Sequence, residues 1–278
     1  MPSTQDTSSP INRLSQTFSR LAERNEAAFV AYLAAGHPSP AQTVDLVLAL
    51  VESGADVIEL GVPFSDPLAD GVVNQLAAEA ALKAGTTIHD VLDIIRKVRE
   101  KSEVPLVLFT YLNPVYSYGF KEFHRDAAAA GADGILTLDL PADEAERNIE
   151  LANAEGLSAI RLIAPTTPES RYDHICSKAS GFIYYVSREG VTGIQENLAE
   201  GISEQVATIK KHTDIPICVG FGISKPAQAA QVAMAADGVV VGSAIVKTIL
   251  DNANDPNLPA IVRDFTAPLV KAAKAART

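Results

Sequence analysis

The sequence predicts an α/β fold, a closed (β/α)8 barrel with an extra helix ahead of it. Three observations predict it. Eight short apolar runs recur along the 278 residues, helical stretches separate them, and no change in composition divides the chain. Strict alternation of strand and helix builds a parallel sheet covered by helices, and eight such units are the number that closes one on itself. A doubly wound open sheet is the alternative that the same alternation allows. The length suits two small domains or one large barrel, since such barrels run to about 250 residues as one unit.

The strand runs are AFVAYLAAG from Ala28, ADVIELG from Ala55, VPLVLFTYLN from Val104 and ADGILTLDLP from Ala132, then LSAIRLIAP from Leu157, GFIYYVS from Gly181, IPICVGFG from Ile215 and ADGVVVGSA from Ala236. They are β-branched, nearly continuous in apolar character, and end in Gly, Pro, Asn or Ser, as strands buried on both faces do. Between them, SPAQTVDLVLALVESGA opens on Ser39 and Pro40, an N-cap and first-turn pair, and stops at Gly54. TTIHDVLDIIRKVREKS, KEFHRDAAAAGA, ADEAERNIELANAEG and KPAQAAQVAMAA read the same way. Several strands are introduced by one punctuation, GAD or AAD, in which small residues end a helix and Asp starts the strand. Before the first strand, Ile11, Leu14, Phe18 and Leu21 share one side of an amphipathic helix expected over 11–26. It would cap the bottom of the barrel or, alternatively, dock a partner. A single domain over 1–278 is expected, with residues 1–10 flexible, the barrel core over 28–250 and a C-terminal helix over 256–278. The Ala/Lys-rich stretch from Pro268 to Thr278 is expected to be a solvated helical end.

Apolar residues make up 47% of the chain, too many for a disordered one. Against 23 basic residues stand 34 acidic ones, a net charge of −11. That balance disfavours nucleic acid and anionic membranes, and no basic patch overrides it. A phosphate would have to be held locally, by backbone N–H groups. Cys176 and Cys218 lie far apart and outside any metal-ligand spacing, so two free thiols and no metal site are expected. The polar first residues and the lack of a long apolar run predict a cytoplasmic protein.

Barrels of this kind work at the C-terminal ends of their strands, and alternate strand residues face inward. In the second strand Val57 and Glu59 share a face; if one points inward, so does the other. A carboxyl inside an apolar barrel has a raised pKa and can donate a proton near neutral pH. The bland alternative is a structural Glu paired with a cation or a Tyr. Val107, Phe109 and Tyr111 share a face, as do Val30 with Tyr32 and Tyr184 with Val186, which would set aromatic rings around Glu59 or simply fill core. The turns SREGVTG, VGFGIS and VVGSAIV follow the sixth to eighth strands. Their small residues free several backbone N–H groups, and Ser243 opens a helix. That suits a phosphate, although each could be only a turn.

The segments ELGVPFSDPLADG, FTYLNPVYSYG, VSREGVTG, GFGIS and GSAIVK, in order from about Phe29 to about Ile249, resemble those of the tryptophan synthase alpha subunit, a TIM-barrel family. The resemblance implies a lyase of tryptophan biosynthesis that cleaves indole-3-glycerol phosphate by a retro-aldol reaction to indole and glyceraldehyde 3-phosphate. It implies that Glu59 is the acid/base and that Asp70 bonds the indole N–H. It implies contacts to the indole and glycerol portions from Tyr32, Phe109, Tyr111, Leu136, Leu138, Tyr184 and Thr192. It implies phosphate binding by Gly193, Gly220, Phe221, Gly222, Gly242 and Ser243. Asp66 is expected to touch a partner or a neighbouring loop. The family pairs with a PLP-dependent beta subunit in an alpha2beta2 assembly, so no cofactor is expected in this chain and PLP only in the partner. One departure stands out: Asn74 occupies a place where the family carries an apolar neighbour of the indole pocket, and a buried amide needs partners. Two rival readings remain. One is a subunit kept mainly to activate its partner; the other makes Glu59, Asp66 and Asp70 ligands of a divalent cation, although His37 and His89 sit elsewhere.

Overall fold

Each apolar run forms a strand, and the eight strands close. The computed structural model describes residues 12–187, 195–220 and 222–277, the side chains of 195–200 excepted. Ile11, the expected flexible segment 1–10 and Thr278 lie outside the described residues. Helix α1 (Arg13–Glu23) leads, with Asn12 as its N-cap. Then follow β1 (Ala28–Ala34), α2 (Pro40–Glu52), β2 (Val57–Gly61), α3 (Val72–Lys83), α4 (Ile88–Arg99), β3 (Leu106–Thr110), α5 (Leu112–Tyr118) and α6 (Phe120–Ala130). The second half runs β4 (Gly134–Thr137), α7 (Glu146–Ala154), β5 (Ser158–Ile163), α8 (Tyr172–Cys176), β6 (Ile183–Val186), α9 (Gln195–Ile209), β7 (Ile217–Gly220), α10 (Pro226–Ala235), β8 (Gly238–Val241), α11 (Ser243–Asp251) and α12 (Leu258–Ala275). All neighbouring strands pair in parallel, and β8 returns to β1. The open sheet is thereby excluded.

Seven strands meet in a common inner cluster through Val30, Val57, Val107, Leu136, Ile160, Cys218 and Val240, and Phe182, just ahead of β6, completes the ring. Leu14, Phe18 and Leu21 of α1 pack into the same cluster. Phe18 lies 5.8 Å from Phe182, ring centre to ring centre. The helix therefore plugs the barrel bottom and is not left open to a partner. A second, larger cluster lies outside, where Phe29, Ala31, Ile58, Leu60, Leu106 and Leu108 meet the helices. Strands that face apolar neighbours on both sides explain why the runs read as unbroken.

The Asp punctuation is a structural device. The Asp56 carboxylate accepts the Phe29 N–H at 2.7 Å, Asp133 that of Leu106 at 2.9 Å, and Asp237 that of Ile217 at 2.9 Å. Each thus stitches its strand to the preceding one. Each also meets a cation: Lys274 at 2.6 Å, Arg99 at 2.6 Å and Lys210 at 2.8 Å.

The expectation of a solvated tail from Pro268 is overturned. α12 buries Val262, Thr266, Leu269, Val270 and Ala273, a stripe at helical spacing, against α2 and α10. Arg277 donates to the carbonyl of Ala233 at 2.7 Å. Its lysines made the stretch look polar and its alanines featureless, yet alanine is small enough to let two helices approach.

Candidate functional site

The site is built on the next inward position of each strand. Two residues above the inner cluster stand Tyr32, Glu59, Phe109, Leu138, Leu162, Tyr184, Gly220 and Gly242. Six carry side chains and two do not. Beside the glycine that follows β8, a cavity of about 230 Å³ opens instead of core. Tyr32, Glu59, Phe109, Tyr184, Val240, Gly222, Gly242 and Ser243 line it, and Gly71, Val72, Val73 and Asn74 at the start of α3 cover it.

Glu59 is fully buried, and neither carboxylate oxygen has a hydrogen-bond partner among the described residues. In register it sits between Tyr32 of β1 and Val107 of β3. Burial pushes its carboxyl up to about 8. It therefore holds its proton at neutral pH. The structural reading of Glu59, a carboxyl paired with a cation or a Tyr, finds no such partner among the described residues. Burial also raises the Tyr32 and Tyr184 hydroxyls well above the usual phenol range, with Glu59 adding to both shifts. The Tyr32 ring meets Phe109 edge-on, with centroids 5.0 Å apart. It lies over Gly61, where a Cβ would come within 2.3 Å of the Tyr32 hydroxyl.

Asp70 reaches the same region from the loop between β2 and α3. Tyr111 donates its hydroxyl hydrogen to Oδ2 of Asp70 at 2.9 Å and accepts the Ala69 N–H at 3.0 Å. Asn74 donates from Nδ2 to Oδ1 at 3.4 Å, while its own Oδ1 is buried without a partner among the described residues. Burial raises the Asp70 pKa, and the bonds from Tyr111 and Asn74 oppose that rise. Two carboxyls thus occupy different surroundings. Glu59 has no donors among the described residues; Asp70 has two that favour its ionised form. Such a pair divides acid from anion. Asp66 stays outside, bonded by the Ser65 hydroxyl.

The expected phosphate residues divide. Gly242 precedes the first residue of α11, Ser243, so the cavity ends at a helix N-terminus with free N–H groups. Gly222 has φ +70°, a left-handed turn that glycine adopts without strain. Gly220 is not on the wall. A Cβ there would fall 2.8 Å from the Tyr184 hydroxyl, so its bareness makes room for that ring. Leu136 lies one layer lower, and Leu138 faces a different cleft, between β4 and β5. Thr192, Gly193 and Phe221 lie outside the described residues. The sequence reading missed Gly61, Val73 and Val240. Parity would have found Val240, the inward neighbour of Gly242; nothing local marks the other two. Among the described residues, no three His, Cys, Asp or Glu side chains gather as a metal group would require.

The comparisons with known proteins agree with one another. The family model described as tryptophan synthase alpha chain matches residues 18–273. The tryptophan synthase alpha chain of Opitutus terrae is 49% identical over 262 residues, covering 92% of this chain and 98% of its own. That of Geotalea uraniireducens is 50% identical over 237 residues, covering 85% and 89%. The crystal structure of tryptophan synthase subunit alpha from Legionella pneumophila superposes with a TM-score of 0.88 at 38% identity, over 94% of this chain and 98% of that one. A structure of Mycobacterium tuberculosis tryptophan synthase gives 0.86 at 38% identity, over 95% and 98%. With the match running through nearly the whole barrel, this chain belongs to the tryptophan synthase alpha chain family.

Proposed function

We propose that Glu59 and Asp70 carry the family's lyase reaction in this chain, the retro-aldol cleavage of indole-3-glycerol phosphate to indole and glyceraldehyde 3-phosphate in tryptophan biosynthesis. The observation that carries the reading is the protonated Glu59 at the floor of a cavity that ends at a helix N-terminus. Indole is a poor carbanion leaving group. Protonation of its C3 by Glu59 turns the ring into an electron sink and places positive charge on its nitrogen. Asp70, held by Tyr111 and Asn74, accepts the ring N–H and stabilises that charge. Removal of the glycerol hydroxyl proton then breaks the carbon–carbon bond. Its electron pair returns to the ring, the glycerol carbon becomes an aldehyde, and Glu59 regains a proton. Tyr32, Phe109 and Tyr184 pack the ring, while the N–H groups at Gly242 and Ser243 take the phosphate. The phosphate roles of Gly193, Gly220, Phe221 and Gly222, and the contacts of Leu136, Leu138 and Thr192, belong to this reading as well.

The reaction as written uses only this chain's carboxyls. The partner is a beta subunit, the alpha2beta2 assembly is the expected form, PLP belongs to the beta subunit, and the compartment is the cytoplasm. No helix among the described residues is long and apolar enough to cross a membrane. Glu59→Gln tests the assignment. Turnover should fall by about 10³-fold or more with KM nearly unchanged, because the proton, not the binding, is lost. Near-full indole release from that variant would remove Glu59 from the mechanism.

A further inference from the structure

Strands β4 and β5 stop pairing at Leu136 and Ile160. Above that point a cleft of about 270 Å³ opens, lined among others by Thr137, Leu138, Arg161, Thr167 and Arg171. It lies across the barrel from the glycines of β7 and β8. On β5 the residues on either side of Arg161, Ile160 and Leu162, belong to the inner cluster, so Arg161 points away from the barrel axis. Its side chain is nonetheless deep: the residue is 9% exposed. Among the described residues no carboxylate, carbonyl or hydroxyl holds its guanidinium, and burial is the one influence on its titration. Thr137, on the adjoining strand and also facing outward, is 8% exposed, and its hydroxyl has no partner among the described residues.

Other inner cations among the described residues are matched. Arg99 has Asp133 and Lys274 has Asp56. Arg171, on the rim of the same cleft, donates to Asp143 at 2.8 Å and is thereby neutralised. An unmatched buried charge is costly, and buried charges are as a rule paired or hold an ion. We infer that the cleft between β4 and β5 is a binding site for a small oxyanion, a carboxylate or phosphate group, gripped by the Arg161 guanidinium and the Thr137 hydroxyl. The planar fork of arginine matches two oxygens of either group. Thr137 supplies a third donor. Thr167 accepts the Ala164 N–H at 3.1 Å and keeps its own hydroxyl proton to give. With the chain at net −11, only such a local cluster can draw an anion in.

The arginine side-chain N–H signals of isotope-labelled protein provide the readout, with the Arg161 signal assigned by its loss in Arg161→Met. Sodium acetate and inorganic phosphate are each titrated at constant ionic strength against chloride. The Arg161 signal should shift saturably with acetate or phosphate and not with chloride. The anion that saturates it at lower concentration names the class. Thr137→Val keeps the reporter and should weaken that binding about tenfold, as loss of a hydrogen bond to a charged group does. Phosphate contacts at Gly242 and Ser243 should persist in both variants, which separates this cleft from the cavity over Glu59. An Arg161 signal that follows chloride equally, that never saturates, or that responds unchanged in Thr137→Val overturns the site.

Discussion

Glu59 shows what a single buried carboxyl does to a whole protein. Its pKa stands at about 8 in the folded chain against an ordinary 4.5, with burial as the cause. Below about pH 4.5 both folded and unfolded chains hold the proton, and Glu59 contributes no pH dependence. Between about 4.5 and about 8 the unfolded chain ionises while the folded one does not, so the folded state binds more protons and stability falls as pH rises. Above about 8 both are ionised and the loss levels off, at most roughly 4–5 kcal/mol for a gap of that width. Glu59→Gln carries no such proton. Its urea-denaturation stability should therefore match the parent near pH 5 and exceed it by a few kcal/mol near pH 8.5. A difference that stays constant with pH would show that Glu59 is not held protonated. In the proposed mechanism the same proton protonates the indole ring, so kcat/KM should decline above pH 8 as the acid form is lost. The chain thus gives up stability at neutral pH to keep an acid in its barrel.

At the scale of elements, the loop from β2 to α3 depends on a residue from β3's far side. Tyr111 stands one residue beyond the end of that strand, and its hydroxyl spans Ala69 and Asp70. Its ring packs on Phe64 with centroids 5.3 Å apart. Tyr111→Phe keeps the ring and removes both hydrogen bonds. Turnover should fall about ten- to a hundredfold, the worth of one hydrogen bond to a charged group. The acid limb of the pH–rate profile should move upward too, since Asp70 loses a bond that lowers its pKa. A lower rate with an unmoved acid limb would make Tyr111 a packing residue only. The sequence reading expects Tyr111 beside the substrate, and it did not foresee the bonds of its hydroxyl to Asp70 and Ala69. The reason for that gap is physical. Parity along a strand made Glu59, Tyr32, Phe109 and Tyr184 legible, because side-chain direction alternates strictly there. The alternation lapses past β3, and nothing local says that Tyr111 will meet a loop from the preceding strand. Asp70 and Asn74 sit in and just after such a loop, and only the family resemblance pointed to Asp70. α3 was hidden behind the same loop. In α12 the opposite happened: the apolar stripe was present in the sequence, but its alanines and lysines disguised it.

At the scale of the molecule, the two ends of the barrel are finished differently. α1 closes the bottom with Leu14, Phe18 and Leu21, which pack into the inner cluster. At the strand-top end, large apolar side chains stay in solvent: Leu68 is 94% exposed, Val72 70% and Tyr116 70%. Leu68 and Val72 flank Asp70, and Tyr116 lies on α5, directly after the strand that supplies Tyr111. The Tyr111–Asp70 hydrogen bond ties these two segments together. Exposed apolar residues beside a catalytic mouth are suited to a partner that receives the product, and aromatic residues contribute most at such surfaces. Tyr116 does not line the cavity over Glu59. Tyr116→Asp should therefore leave the turnover of the isolated chain unchanged while weakening its association with a beta subunit by about 30-fold, the effect of losing about 2 kcal/mol at an interface. Calorimetric titration of the two proteins measures the affinity, and indole release by the isolated chain provides the control. An unchanged affinity would move the docking surface away from α5. A parallel loss of turnover in the isolated variant would instead show that α5 supports the Asp70 loop, and that its exposed ring serves catalysis before assembly.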